Sequence, residues 1–275
     1  MTRTVAEKRA AFRALHEQGC FVLPNPWDVG SARMLQSLGF QALASTSSGH
    51  AWSQGNADGE MALEPVLAHL RELAAATDLP LNADFESGFA ADPQGVAQNV
   101  RKALDTGVAG VSIEDASGDP AHPIRDMAEA VLRLRAARAA IDAAGGDCLL
   151  VGRAENFLHG RSDLADTVAR LRAYAEAGAD CLYAPGIRTR EQITAVVAAV
   201  APKPVNLLIG GASEFSLAEV AAMGVRRVSV GGALARAAWG GFVQAARDIA
   251  THGRFDALAQ AMPHAELNAL FGHKA

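Results

Sequence analysis

Three polar residues stand at alternate positions in Pro80-Leu81-Asn82-Ala83-Asp84-Phe85-Glu86-Ser87-Gly88-Phe89: Asn82, Asp84 and Glu86, followed by a glycine. Along a strand, side chains two apart share a face. A strand over Leu81–Asp84 therefore points Asn82 and Asp84 the same way at its C-terminal end. Amide and carboxylate oxygens converging there suit a hard divalent cation. Taken alone, Asp84 would more ordinarily cap a turn and Glu86 would be solvated. Similar polar endings recur, however, at Ser45-Thr46-Ser47-Ser48-Gly49, Glu114-Asp115, Arg153-Ala154-Glu155-Asn156 and Pro204-Val205-Asn206. Asp84, Glu114 and a loop residue, Asp58, are the acids expected to hold such a cation, with Asn82 as a further oxygen donor. Arg153 ends an apolar run and either clamps a substrate carboxylate bidentately or pairs with Glu114. Thr46, Ser47 and Ser48 offer hydroxyls and amides to a carboxylate, although the run also reads as a plain polar turn. Asn206 is read as a further substrate contact. Trp27 and Trp52 read as pocket walls. His50, His122 and His159 fall in loops on the same side, where a histidine can shuttle protons. Ile209-Gly210-Gly211 and Val230-Gly231-Gly232 are similar to a barrel phosphate cradle, but glycine pairs also serve tight packing.

Such a site needs a frame that ends several buried strands at one place. Apolar strand-like runs alternate with amphipathic helical ones along the chain. Strands are predicted at Phe21–Leu23, Ala42–Ser45, Leu81–Asp84, Gly110–Glu114, Leu149–Arg153, Cys181–Ala184, Pro204–Leu208 and Arg227–Val230. Helices are predicted at Ser31–Leu38, Glu64–Thr77, Pro93–Thr106, Arg125–Ala144, Ser162–Ala177, Arg190–Val200, Ser216–Met223 and Leu234–His252. Asp92-Pro93 and Ser162-Asp163 supply helix starts, and Gly39, Gly107, Gly178 and Gly224 fit left-handed caps. Repeated βα units of this length predict a (β/α)₈ TIM barrel in one domain spanning 1–275, with the active face at the strand C-termini. A doubly wound sheet is the alternative, but Pro24-Asn25-Pro26-Trp27-Asp28 lacks a glycine-rich dinucleotide fingerprint. Residues 233–275 exceed what a barrel needs. Phe255, Leu258, Ala259 and Met262 share a face there, expected to pack on this barrel or on a neighbour's.

Bulk properties narrow the function classes. A formal charge of −5 over 275 residues provides no basic field for nucleic acid. No apolar run reaches the length that spans a bilayer. The charged segment Met1–Ala11 has no apolar signal core, so a cytoplasmic location is expected. Cys20, Cys148 and Cys181 are too scattered for a disulfide framework and read as small buried hydrophobes.

The sequence resembles the isocitrate lyase/phosphoenolpyruvate mutase superfamily over roughly Val22 to Val243. The resemblance is carried by Asn25-Pro26-Trp27-Asp28-Val29-Gly30-Ser31-Ala32, Thr46–Gly49, Asn82-Ala83-Asp84, Ile113-Glu114-Asp115, Gly152-Arg153-Ala154-Glu155-Asn156-Phe157 and Arg227-Val228-Ser229-Val230-Gly231-Gly232-Ala233. It implies a barrel that exchanges its last helix with a partner, giving a homo-oligomer (a dimer or a dimer of dimers). It implies Mg²⁺ near Asp84, with Asp58 and Glu114 acting through water, and a small 2-oxo or 2-hydroxy carboxylate held by Thr46, Ser47 and Ser48. Arg153 would stabilise an enolate or carboxylate.

Departures from the family pattern are informative. The loop Ala116-Ser117-Gly118-Asp119-Pro120-Ala121-His122 has neither the cysteine nor the lysine of the lyases, so isocitrate cleavage is not expected. Asn82 stands in place of a metal-site Asp, and Pro185 in place of an acid or histidine. Decarboxylation of a 2-oxo dicarboxylate such as oxaloacetate needs least beyond the intact part. The alternatives are cleavage of another C–C or C–P bond, with His122 as proton donor, and a 2-oxoglutarate-like binding protein without turnover.

Overall fold

The computed structural model describes residues 3–272. In chain order the elements are α1 (Val5–Leu15), β1 (Phe21–Leu23), α2 (Val29–Ser37), β2 (Leu43–Ala44), α3 (Ser47–Ser53), α4 (Leu63–Ala76), β3 (Leu81–Asp84), α5 (Pro93–Leu104) and β4 (Gly110–Glu114). They continue with α6 (Met127–Ala143), β5 (Leu149–Arg153), α7 (Leu164–Glu176), β6 (Cys181–Tyr183), α8 (Arg190–Val200) and β7 (Val205–Leu208). The last are α9 (Leu217–Ala222), β8 (Arg227–Ser229), α10 (Ala233–His252), a 3₁₀ turn (Asp256–Gln260) and α11 (His264–Phe271).

All eight strands are parallel, in the order β1-β8-β7-β6-β5-β4-β3-β2. The remaining seam, between β1 and β2, is bridged where the Ala44 N–H donates to Pro24 O at 3.1 Å. This is the expected (β/α)₈ barrel. The outward strand residues, such as Ala83, Val111, Leu150, Leu182 and Val228, pack on the helices in one core. Gly39, Gly107, Gly178 and Gly224 have φ between 85° and 105°, in the left-handed region expected of their caps. Asp92 caps α5 with Pro93 in its first turn, as the sequence implied.

Three features extend beyond the sequence reading. First, α1 was not anticipated: its apolar pattern is thin because two basic residues face inward. Lys8 Nζ donates to Ala74 O and Thr77 O at 2.7 and 2.6 Å, and Arg9 donates to Val108 O and Leu104 O. The Ala74, Thr77 and Leu104 carbonyls lie at helix C-termini, where such acceptors lack partners within the helix, and Phe12 plugs the N-terminal end of the barrel, fully buried. Second, the serine run is neither a turn nor a strand end but the start of α3, with Thr46 Oγ1 capping the Gly49 N–H at 3.2 Å. Third, α10 follows β8 but buries only Ala235. The chain then turns through Gly253 in the left-handed conformation, and α11 lies against α2.

Candidate active site

At the C-terminal rim the ends of β3, β4 and β5 converge on one guanidinium. Arg153 closes β5, opposite Glu114 of β4 and Tyr183 of β6. Its Nη1 donates to Asp84 Oδ1 at 2.7 Å and lies 3.0 Å from Glu114 Oε2. Its Nε donates to Glu155 Oε1 at 2.9 Å, and its central carbon stands 5.1 Å from the Tyr183 ring centroid. Nη2 has no hydrogen-bond partner among the described residues. Arg153 therefore makes the pair with Glu114 that the sequence allowed, and adds Asp84 and Glu155 to it. Asp84 Oδ2 accepts the Ser47 N–H at 3.0 Å, which ties β3 to the start of α3.

Glu86 belongs to this cluster, although its position past the strand end had suggested solvation. Its backbone turns into the left-handed region, φ 46°, and its carbonyl accepts the Glu114 N–H at 3.0 Å. That turn redirects the side chain toward Asp84 and Asp58. Burial, then the charges of Asp84 and Asp58, push its carboxyl up to about 7 against the opposing pull of Arg153. Glu114 is raised well above the ordinary range by burial, with Arg153 opposing. Asp58 is an exposed rim residue whose carboxylate bonds the Ser47 side chain; partial desolvation and Asp84 raise it. Glu155, 3% exposed, is raised by burial and opposed by Arg153. Burial disfavours the charge of Arg153, but Glu114, Glu155 and Asp84 outweigh it and hold the guanidinium protonated.

Other candidates lie elsewhere. Asn82 shares a face with Asp84, as alternation required, but two residues of strand place it about 7 Å deeper. There Arg227 Nη1 donates to Asn82 Oδ1 at 3.4 Å. Asn206, fully buried, accepts from Arg227 Nε at 2.9 Å and donates to Ser229 Oγ. Both asparagines thus form the polar floor of the barrel with Arg227 and His16, not its mouth. The acid pair of this segment is Asp84 and Glu86, one alternation step beyond Asn82 and Asp84. His122 does not join the cluster either: its side chain is 84% exposed and faces Asp119, Nδ1 to Oδ2 3.3 Å. A bridge between Ala116 and Ile124 pinches that loop and turns its tip outward. Trp27 packs against Gly49, bracing α3. Ser48 and Asp58 mark the near end of a cleft of about 750 Å³, which Trp52 also lines and which runs toward the loops after β6, β7 and β8.

The donor set can be tested against a divalent cation. Asp58, Asp84, Glu86, Glu114 and Glu155 face a single guanidinium; burial is the largest cause of the upward shifts at Glu86, Glu114 and Asp58, and neighbouring carboxylates add to it. All the donors are hard oxygens. Among the described residues no three acid, histidine or cysteine side chains are grouped to ligate one ion directly. As hard oxygen donors, Asp84 and Glu86 fit Mg²⁺ held by one or two carboxylates and otherwise by water, its common mode.

Comparison with known proteins places this geometry. The family model for phosphoenolpyruvate phosphomutase matches residues 12–250. The chain belongs to this family. It is 31% identical over 233 residues to the oxaloacetate decarboxylase of Paraburkholderia xenovorans, covering 81% of this chain and 74% of that protein. A crystal structure from Burkholderia cenocepacia J2315, described as a lyase/mutase, shares 47% identity with a TM-score of 0.95 and covers 98% of both chains. An oxaloacetate acetylhydrolase solved with its product oxalate is 28% identical, with a TM-score of 0.86, over 96% of this chain and 94% of that one. This member of the phosphoenolpyruvate mutase/isocitrate lyase superfamily is a carbon–carbon lyase.

Proposed function

We propose that this lyase acts, with a divalent metal, on a small 2-oxo carboxylate, and that oxaloacetate is its simplest substrate, giving pyruvate and CO₂. The observation that carries the reading is Arg153, shared between Asp84, Glu114 and Glu155, with Asp84 also accepting the Ser47 N–H at the start of α3. Asp84 and Glu86 would hold Mg²⁺ or Mn²⁺, with Asp58 and Glu114 reaching it through water. When bound, the ion supplies Lewis acidity toward the 2-oxo acid. The Ser47 and Ser48 hydroxyls at the start of α3 orient the substrate carboxylate, while Thr46 holds α3 in place through its cap. As the C3–C4 bond breaks and the distal carboxylate leaves as CO₂, the electron pair moves onto the 2-oxo oxygen. Arg153 supplies fixed positive charge for that developing anion. Water reaching the open mouth returns a proton to C3. Oxalate in the related acetylhydrolase and the decarboxylase relative favour a small carboxylate of this kind.

The test is pyruvate and CO₂ release from oxaloacetate by the protein with Mg²⁺, set against Mg²⁺ alone. Asp84→Asn should lower kcat by about 10²-fold or more, as expected when a contact made chiefly in the transition state is lost. An Asp84→Asn protein as active as the parent would sink the proposal.

A further inference from the structure

The cleft is larger than a four-carbon acid requires. Clefts of about 300–1,000 Å³ ordinarily enclose drug-sized ligands, and this one, at about 750 Å³, lies within that range. Acidic, apolar and basic side chains all line it. Ser48 and Asp58 stand at the head end, beside the acid cluster. Leu158, Ile187, Ile209 and Phe215 give it an apolar wall. Arg188, from the loop after β6, and Arg236, in the first turn of α10, also line it.

Neither arginine has an evident structural task. Arg236 Nη1 makes one long contact, 3.4 Å to Gly210 O. The Arg188 side chain makes no hydrogen bond, and neither guanidinium is ion-paired among the described residues, although Glu214 lines the same cleft. The glycine pairs that the sequence suggested as a cradle, Gly210-Gly211 and Gly231-Gly232, also line the cleft. At Gly232 a Cβ would come within 2.7 Å of Ser48 Oγ and 3.0 Å of the Trp52 ring, which explains that glycine by packing. The same packing fixes the origin of α10, and hence Arg236, relative to Ser48.

We propose that Arg188 and Arg236 bind a second carboxylate of the substrate, carried on an alkyl chain longer than that of oxaloacetate. The inference rests on the proposed head-group site and specifies the substrate class: a 2-oxo or 2-hydroxy diacid whose middle lies on the apolar wall. Arginine suits the task because its planar fork meets a carboxylate bidentately.

The probes are 2-oxoadipate, 2-oxohexanoate (the same length without the second carboxylate) and oxalate, which tests the head site alone. Binding to the full chain with Mg²⁺ is measured by titration calorimetry. The expected result is at least tenfold tighter binding of 2-oxoadipate than of 2-oxohexanoate. In R188Q/R236Q that difference should vanish, with oxalate and 2-oxohexanoate binding unchanged. Both residues are exposed, so the double variant should fold. Equal affinities for the two six-carbon acids in the parent, or an undiminished preference in the variant, would overturn the inference and leave the head-group reading intact. Loss of oxalate binding in the parent would overturn the head-group reading and this inference with it.

Discussion

At the scale of single residues, Glu86 shows how an acidic cluster at the barrel mouth is assembled against local preference. A non-glycine residue in the left-handed region is disfavoured by about 1–2 kcal/mol, and such strain persists where the surroundings enforce it. Here the enforcing contact is the Glu114 N–H on the Glu86 carbonyl. Glu86→Gly should therefore stabilise the fold by about 1 kcal/mol in urea unfolding. It should also lower oxaloacetate turnover at least tenfold, separating stability from activity. A variant less stable than the parent would refute the strain argument. Arg153→Gln should act in the opposite sense. It leaves Asp84, Glu114 and Glu155, with side chains 18%, 14% and 4% exposed, without their shared cation. The expected loss is about 3 kcal/mol at neutral pH, read by denaturant unfolding. Asp84, Glu114, Arg153 and the serine run were legible in the sequence because strand ends are where polar residues interrupt apolar runs. Glu86 was not, because alternation stops with the strand at Asp84 and a positive φ cannot be read from a glutamate. The Glu-Ser-Gly sequence of a tight turn was the available signal. Asn82 and Asn206 were placed on the correct face but at the wrong depth, which periodicity does not encode.

At the scale of elements, α3 and α4 meet through a contact that the sequence hid. His50 of α3 and His69 of α4 stack with ring centroids 3.8 Å apart and planes 10° apart, each more than nine-tenths buried. The sequence reading put His50 in a loop, because Thr46-Ser47-Ser48-Gly49 looks like a turn until Thr46 is recognised as a cap. Burial, then the adjacent His50, bring His69 from 6.5 to about 3; His50 is lowered by burial, with Glu72 opposing. His16, beneath the barrel floor, is likewise brought to about 3 by burial and then by Arg227. Each remains neutral in the folded protein at pH values where the unfolded chain would protonate it. Stability is therefore fully present above about pH 6.5 and falls as pH drops from there toward 3, by about 1.4 kcal/mol per pH unit for each of His16 and His69. His69→Leu should flatten the dependence between pH 6.5 and 5 in urea unfolding, whatever it does to stability at pH 8. An unchanged slope would show that His69 is not held neutral by its surroundings. Most other elements were legible because Ala- and Leu-rich helices alternate with short apolar strands. The N-terminal helix escaped because its inward basic residues break the apolar stripe.

At the scale of the whole molecule, α10 is the element that the single chain leaves unfinished. Its 20 residues span about 30 Å, yet Trp239, Phe242, Val243 and Ile249 are 41%, 62%, 41% and 37% exposed. Trp239 and Phe242 already meet edge to face at 5.5 Å, forming one patch. Contiguous exposed apolar surface of this kind marks an interaction site. The helix after the last strand of such a barrel ordinarily packs on the barrel wall, and here only its first turn does so, through Leu234 and Ala235. A second copy would present the same unburied helix and the same uncovered wall, so a reciprocal exchange satisfies both chains through one two-fold axis. This agrees with the helix exchange that the sequence resemblance implies. Light scattering on the full chain at micromolar concentration should give at least twice the 28.6 kDa chain mass. Trp239→Asp with Phe242→Asp should yield monomers of lower thermal stability, because charge replaces apolar contact at the centre of the patch. Neither Trp239 nor Phe242 lines the cleft, so those monomers should keep their affinity for oxalate. A parent protein that is monomeric at those concentrations would mean that α10 stays on its own barrel with its apolar face in water, and the exchange argument would fail.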